Sequence, residues 1–348
     1  MALCSRKTQF ISDLRAGSPI NTVLIVTDCQ QKQGKNGQAY LDVKLADRTG
    51  EINMKLWNHS PGATPGLEQG AFIRLNGVCV TEFAGRLQLA LDSSAFGKSI
   101  TPEDEAQCNP GDFVPSTERD IPAMWRVLTD AISSVEKLPI RCLLESYFCD
   151  PEFAAAFRDW PAAVRHHHAY CGGLLEHTVG VLQICMLAAE NYSNVDRDFV
   201  IAGALLHDVG KLSSHAYDKT RGITGMSLQG IAADHIVLGS EQIGARIRML
   251  TEACPKKEQC REACWDQKMA LYMAHLIVSH HGTKEWGSPV EPATIEACIL
   301  HFADNMDAQV NKFERALREP FSESDDGFHW SESLGRSVWS LFRGGAKP

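Results

Sequence analysis

Residues His166 to Lys211 read HHHAYCGGLLEHTVGVLQICMLAAENYSNVDRDFVIAGALLHDVGK. Two apolar runs of helical spacing fill this stretch. The first carries His177, and the second, AGALLHDVGK, ends on His207 and Asp208. A histidine and a carboxylate at the tip of a buried helix are costly to desolvate unless something charged satisfies them. A divalent metal ion is the simplest such partner.

Further along, other ionisable residues sit in the same kind of setting. His235 lies in AADHIVLGSEQIGARI, His280 and His281 in LIVSHHGTKEWGSP, and Asp304 in ILHFADNMDAQV. Any one of them alone is most simply a hydrogen-bonded core residue. Seven such groups in five apolar segments each need a partner of their own. If they converge, one polynuclear metal site satisfies them all. Imidazole and carboxylate together favour Mn, Fe, Co, Ni or Zn, with no thiolate required. Asp208 has two oxygens and can bridge two ions. Two ions ~3.5–4 Å apart hold a water between them and clamp the attacking and leaving oxygens of a phosphoryl group. Lys211, three residues after Asp208, either neutralises a phosphate oxygen or is an ordinary cation at a helix C-terminus.

The first hundred residues have a different rhythm. NTVLIVTDCQQKQ, AYLDVKLAD, EINMKLWN, AFIRLNGVCVTEF and GRLQLALDS read as about five short strands separated by Gly-rich turns. That pattern predicts a small closed barrel. Tyr40, Trp57, Phe72 and Phe83 are candidates for stacking on bases, with Lys44, Lys55, Arg74 and Arg86 as phosphate partners; the alternative is core aromatics and solvated charges. Residues 99–120, rich in Pro, Asp, Glu, Ser and Thr with no apolar period, read as a linker. From Ile121 to about Arg318 the spacing is helical. The fold expected is therefore multi-domain: an all-β barrel over 1–98, a linker over 99–120, an all-α domain over 121–320 and a tail over 321–348. The tail's spaced aromatics are expected to dock on a partner subunit or on their own domain.

Residues 1–100 hold 11 Lys and Arg against 8 Asp and Glu, or +3, and the remainder 23 against 35, or -12, which together give the net charge of -9. Carboxylates gathered around a metal do not exclude a polyanionic substrate, and the barrel alone binds one weakly by charge. No stretch approaches the ~20 apolar residues of a membrane span, and the N-terminal residues lack a signal-peptide pattern. The expected location is the cytoplasm, with no membrane partner. The 12 cysteines then read as reduced thiols. Cys254, Cys260 and Cys264, spaced x5 and x3, are a candidate second metal site, with exposed thiols as the alternative.

KNGQAYLDVKLADRTGEINMKLWN resembles the core of an OB-fold of the anticodon-binding type. His177, the His207-Asp208 pair and Asp304 resemble the H…HD…D pattern of the HD-domain metal-dependent phosphohydrolases. His235, His280 and His281 are similar to the extra histidines of the binuclear branch. HHAYCGGLLEHT, LLHDVGK, SHHGTKEWGSPVEP and LHFADNMDA resemble the YhaM-type 3′→5′ exoribonucleases, which join an N-terminal OB-fold to a C-terminal HD domain. The likeness covers nearly the whole chain; the cysteine-bearing stretch TEACPKKEQCREACW is an insertion against it. The resemblance implies metal-dependent release of nucleoside monophosphates from the 3′ end of single-stranded RNA, with single-stranded DNA as a further substrate. It implies manganese as the activating ion.

Around the ligands, His167 and His168 are read as facing the substrate, or else as shaping a helix entry. Gly172-Gly173 is read as permitting close backbone approach. Lys284 and Trp286 in GTKEWGSP are read as substrate contacts, the tryptophan stacking on a base. Adjacent helical residues diverge by ~100°, so His280 and His281 both ligate only if the helix ends there, which Gly282 favours. Two other functions stay open: a nucleotide or cyclic-nucleotide phosphohydrolase, and a non-catalytic nucleic-acid-binding regulator. A homo-oligomer is compatible with all three.

Overall fold

A computed structural model describes residues 7–34, 37–60, 62–83, 85–163, 168–218, 222–253, 264–318, 327–331 and 334–339. The chain forms two compact units with the main boundary between Ser116 and Thr117.

The first unit is a barrel of β1 (Pro19–Gln33), β2 (Ala39–Asp47), β3 (Gly50–Trp57), β4 (Phe72–Phe83), β5 (Arg86–Asp92) and β6 (Ile100–Glu103). The strand order is β1-β2-β3-β5-β4-β6, and β1 also pairs with β4, which closes the barrel. β1 serves both neighbours because it is long: Pro19 to Ile25 pair with β4, and Ile25 to Gln33 with β2. Alternation points Leu41, Val43 and Leu45 of β2 and Ile52, Met54 and Leu56 of β3 into the core. Five strands match the expectation, and this is an OB-like barrel. The sixth lies in the stretch read as a linker: Ile100 to Glu103 pair with β4, and Cys108 and Phe113 bury against Phe72. Proline and acidic residues there decorate an edge strand and short turns, so composition alone hid an ordered segment. Phe72, read as a base-stacking candidate, is buried and packs edge-on against Phe113 with ring centroids 4.8 Å apart.

The second unit is helical: α1 (Ile121–Ser133), α2 (Leu138–Phe148), α3 (Pro151–Asp159), α4 (Gly173–Asn191), α5 (Arg197–Leu206), α6 (Lys211–Ser214), α7 (Leu228–Ala253), α8 (Gln267–Ser279) and α9 (Ile295–Arg318). Asp120, Asp150, Asp196 and Asp266 cap α1, α3, α5 and α8 by accepting from first-turn backbone N–H groups. α5 is buried from Asp198 to Leu206, as a helix that is apolar all round must be. It forms the axis on which α4, α8 and α9 pack. Its C-terminal end therefore delivers His207 and Asp208 to the interior. In the tail, Phe328–Ser331 and Arg336–Trp339 pair as a hairpin, and the Arg336 guanidinium lies 5.0 Å over the Phe313 ring of α9. Among the described residues no helix is long and apolar enough to cross a membrane.

Candidate metal centre and nucleic-acid interface

The five segments singled out by their polar residues meet at one place. His177 projects from α4, His207 caps α5 with Asp208 next to it, His235 follows a kink in α7, His280 caps α8 with His281 beyond it, and Asp304 projects from α9. His177 Nε2 lies 3.2 Å from His207 Nε2, 3.2 Å from Asp304 Oδ1 and 3.5 Å from Asp208 Oδ2. Asp208 Oδ1 reaches the other way, 3.5 Å from His235 Nε2. His280 packs between His207 and His281, with ring centroids at 5.2 and 4.5 Å. α8 ends at Ser279 and Gly282 takes φ +82°, so the chain turns sharply enough for both His280 and His281 to face inward.

The second nitrogen of each ring shows what these side chains are set to do. His207 Nδ1 donates to the Ala204 carbonyl at 2.9 Å, His280 Nδ1 to the Ile277 carbonyl at 2.7 Å, and His281 Nδ1 to the Trp286 carbonyl at 2.8 Å. A carbonyl only accepts, so each of these Nδ1 atoms carries the proton. His177 Nδ1 donates to Asp307 Oδ2 at 2.7 Å and His235 Nδ1 to Asp234 Oδ1 at 2.5 Å. Five imidazoles thus commit Nδ1 outward and turn Nε2 inward, which is how metal-ligating histidines are held. The inward atoms Asp208 Oδ1, His235 Nε2 and His280 Nε2 are buried without a hydrogen-bond partner, while Asp208 Oδ2 is ion-paired with Lys211. Buried lone pairs of this chemistry, left without a hydrogen-bond donor, fit a divalent metal centre. Ligand atoms of His177, His207 and Asp208, and those of His235, His280 and His281, each lie within 4.8 Å of one another.

The electrostatics agree. Burial would raise the Asp208 carboxyl, but the Lys211 ammonium and His207 hold it well below the usual carboxylate range. Burial and the neighbouring His281 and His207 push His280 far down, favouring the neutral ligand form. Burial, then Lys211 and His235, lower His215 to about 4.

The flanking residues do not all fall where they were read. His167 lies outside the described residues, as do Cys254 and Cys260, although Cys264 is described. His168 does not face substrate: it is 3% exposed and sits behind His177, its Nε2 2.9 Å from Asp307 Oδ2. Lys211 is turned onto Asp208 with Nζ 2.6 Å from Oδ2, an ion pair rather than a helix-end cation. Trp286 is exposed and lines a cavity of about 590 Å³ above the centre, shared with Lys211, His215, Asn305, Gln309 and Lys312; Lys284 is exposed on the adjoining turn. Gly173 does permit close approach, since a Cβ there would overlap the His168 carbonyl. Asp234 and Asp307 are not singled out by the apolar-run pattern. Asp307 follows Asp304 by one helical turn, a spacing that puts both on one face, and that was the available signal.

The HD domain family matches residues 174–309, which hold all seven of these groups. The 3'-5' exoribonuclease YhaM of Bacillus subtilis (strain 168) is 30% identical over 302 residues, 86% of this chain and 88% of that protein. YhaM of Shouchella clausii (strain KSM-K16) is 32% identical over 305 residues, 87% of this chain and 88% of that one. The chain belongs to the YhaM family. It is a metal-dependent hydrolase of the HD superfamily. Among solved structures, an OB domain from Thermoplasma acidophilum matches at 17% identity and TM-score 0.21, covering 27% of this chain and 82% of that one.

On the barrel, Tyr40 and Trp57 lie side by side with ring centroids 4.6 Å apart. Lys55 Nζ stands 5.9, 6.0 and 5.8 Å from the rings of Tyr40, Trp57 and Phe83. Trp57 and Phe83 are exposed, and Lys44 is an exposed neighbour on β2. The register explains the cluster: Asp42 pairs with Lys55, so Tyr40 and Trp57 fall on the same outward face.

Proposed function

We propose that this chain is a 3′→5′ exoribonuclease that removes nucleoside monophosphates from single-stranded RNA, and from single-stranded DNA, at a binuclear centre in the helical unit. The observation that carries this reading is the set of five histidines with Nδ1 committed outward, three of which, His177, His207 and His235, bring Nε2 within 3.5 Å of Asp208. One ion would be held by His177, His207, Asp208 and Asp304, the other by Asp208, His235, His280 and His281. Manganese suits imidazole and carboxylate donors, and no cysteine is among the described residues that line the cavity. When bound, such ions supply Lewis-acid stabilisation and a nucleophile at neutral pH.

The chain's own residues do the rest. Lys211, 8% exposed beside Asp208, places a cation where charge grows on a phosphoryl oxygen. Trp286 offers a face for the terminal base. Tyr40, Trp57, Lys44 and Lys55 give the barrel a platform for the strand, which raises affinity for long substrates. The relatives are bacterial exoribonucleases, and we place the enzyme in the cytoplasm.

The test is a time course of the full chain on 5′-labelled single-stranded RNA with Mn²⁺. Stepwise shortening from the 3′ end with monophosphate release is expected. Internal cleavage, or turnover of free nucleotides alone, would overturn the reading.

A further inference from the structure

Asp307 touches none of the groups assigned to substrate, yet the fold is arranged around its carboxylate. Oδ2 accepts from His177 Nδ1 at 2.7 Å and from His168 Nε2 at 2.9 Å. His168 is itself fixed at three points. Its Nδ1 meets Tyr170 Oη at 2.9 Å, its N–H donates to Asn311 Oδ1 at 3.2 Å, and its carbonyl accepts from Ala162 and Tyr170. Asp304, Asp307 and Asn311 form one stripe of α9, so a single helix face carries a ligand, the carboxylate behind another ligand, and the anchor of the His168 loop.

Three backbone features serve this network. His168 takes φ +53°, a conformation uncommon for a side-chain-bearing residue. Gly173 lets the His168 carbonyl lie against α4, where a Cβ would overlap it. Gly180, in the middle of α4, leaves room for Asp307 Oδ1, which a Cβ would displace. A mid-helix glycine lowers helix stability relative to alanine, so the space it leaves has another use.

We propose that Asp307 is a positioning residue for the metal centre: it holds the His177 imidazole with Nε2 toward the other ligands, and Gly180 is the gap that admits it. The proposal rests on the metal-centre reading above. Partners of this kind behind a ligating histidine set metal affinity by roughly 10–100-fold.

Gly180→Ala is the sharpest test. Asp307 Oδ1 is the far end of a short flexible side chain, so the added methyl pushes the carboxylate off His177 while α4 stays helical. The full-length, metal-stripped protein is titrated with Mn²⁺, reading free Mn²⁺ by electron paramagnetic resonance, alongside circular dichroism and thermal unfolding. Gly180→Ala and Asp307→Ala are expected to raise the Mn²⁺ dissociation constant about 10–100-fold, with native helicity and cooperative unfolding. Asp307→Asn, whose amide oxygen still accepts from His177 Nδ1, is expected to lose less than Asp307→Ala. Wild-type affinity in either Gly180→Ala or Asp307→Ala overturns the proposal, as does Asp307→Asn binding no better than Asp307→Ala. If the wild-type protein takes up no Mn²⁺, the metal-centre reading falls first and this one with it.

Discussion

His177 and His207 face one another with Nε2 atoms 3.2 Å apart, and the Nδ1 of each is already committed, to Asp307 and to the Ala204 carbonyl. Two neutral rings in that geometry would oppose their lone pairs, so a cation or a proton must lie between them. Without metal, the proton serves. Burial would lower the His177 pKa, but Asp304 and Asp307 outweigh it and push it up to about 10. A folded pKa above the unfolded value of ~6.5 gives stability that is complete below pH ~6.5 and lost as pH rises through about 10. The metal-free protein is therefore expected to melt progressively lower from pH 7 to 10, and saturating Mn²⁺ to flatten that dependence. Parallel slopes with and without Mn²⁺ would contradict this. Calorimetry at pH 7 in buffers of different ionisation enthalpy is expected to show about one proton released from His177 on loading.

Asp208 reaches both halves of the cluster, with Oδ2 3.3 Å from His207 Nε2 and Oδ1 3.5 Å from His235 Nε2. Asp208→Asn keeps the shape and removes the charge. Metal-borne charge stabilisation is worth several kcal/mol, and each 1.36 kcal/mol is tenfold in rate, so kcat is expected to fall by about 10²–10³ or more. Binding of single-stranded RNA, followed by fluorescence anisotropy, is expected to stay within about twofold because the barrel platform is untouched. Mn²⁺-dependent cleavage at the wild-type rate would remove Asp208 from the centre.

Gly210, the glycine of HDVGK, has a steric rather than conformational reason to be there. A Cβ on it would overlap the His235 carbonyl and the Gly239 N–H, both backbone groups of α7. Backbone cannot swing aside as a carboxylate can. Gly210→Ala is expected to push α7 away and lower stability by about 1–3 kcal/mol, as overpacking does. Mn²⁺ affinity is expected to fall too, since His235 moves with α7. Urea unfolding measures the first effect and metal titration the second. An unchanged midpoint would mean that α7 yields without cost.

The seven clustered groups were legible because each is a polar residue in an apolar helical run, an anomaly visible without any partner. Asp307 and Asp234 were not, since a carboxylate on a mixed helix face is ordinary until its histidine, 130 residues away for Asp307, is brought to it. His168 was misread for the same reason: its neighbours on α9 are 139 and 143 residues distant. In the barrel, alternation revealed β1 to β5. It missed β6, a four-residue edge strand containing Pro102, whose composition is that of a loop.

Lys55 stands about equally far from three rings, Tyr40, Trp57 and Phe83, and this concentrates both attractions that single strands feel at one spot on the barrel. A stacked base is worth about 1–3 kcal/mol, or roughly 5- to 150-fold in Kd. Trp57→Ala, at a site 36% exposed and outside the core, is expected to weaken long single-stranded RNA within that range. Lys55→Ala is expected to weaken binding more gently and to reduce the slope of log K against log salt by about 0.7, the counterion share of one phosphate contact. Hydrolysis of a dinucleotide is expected to be unchanged in both. Equal loss on long and short substrates would instead make the platform part of the reaction site, and no loss on either would leave Trp57 and Lys55 as surface residues.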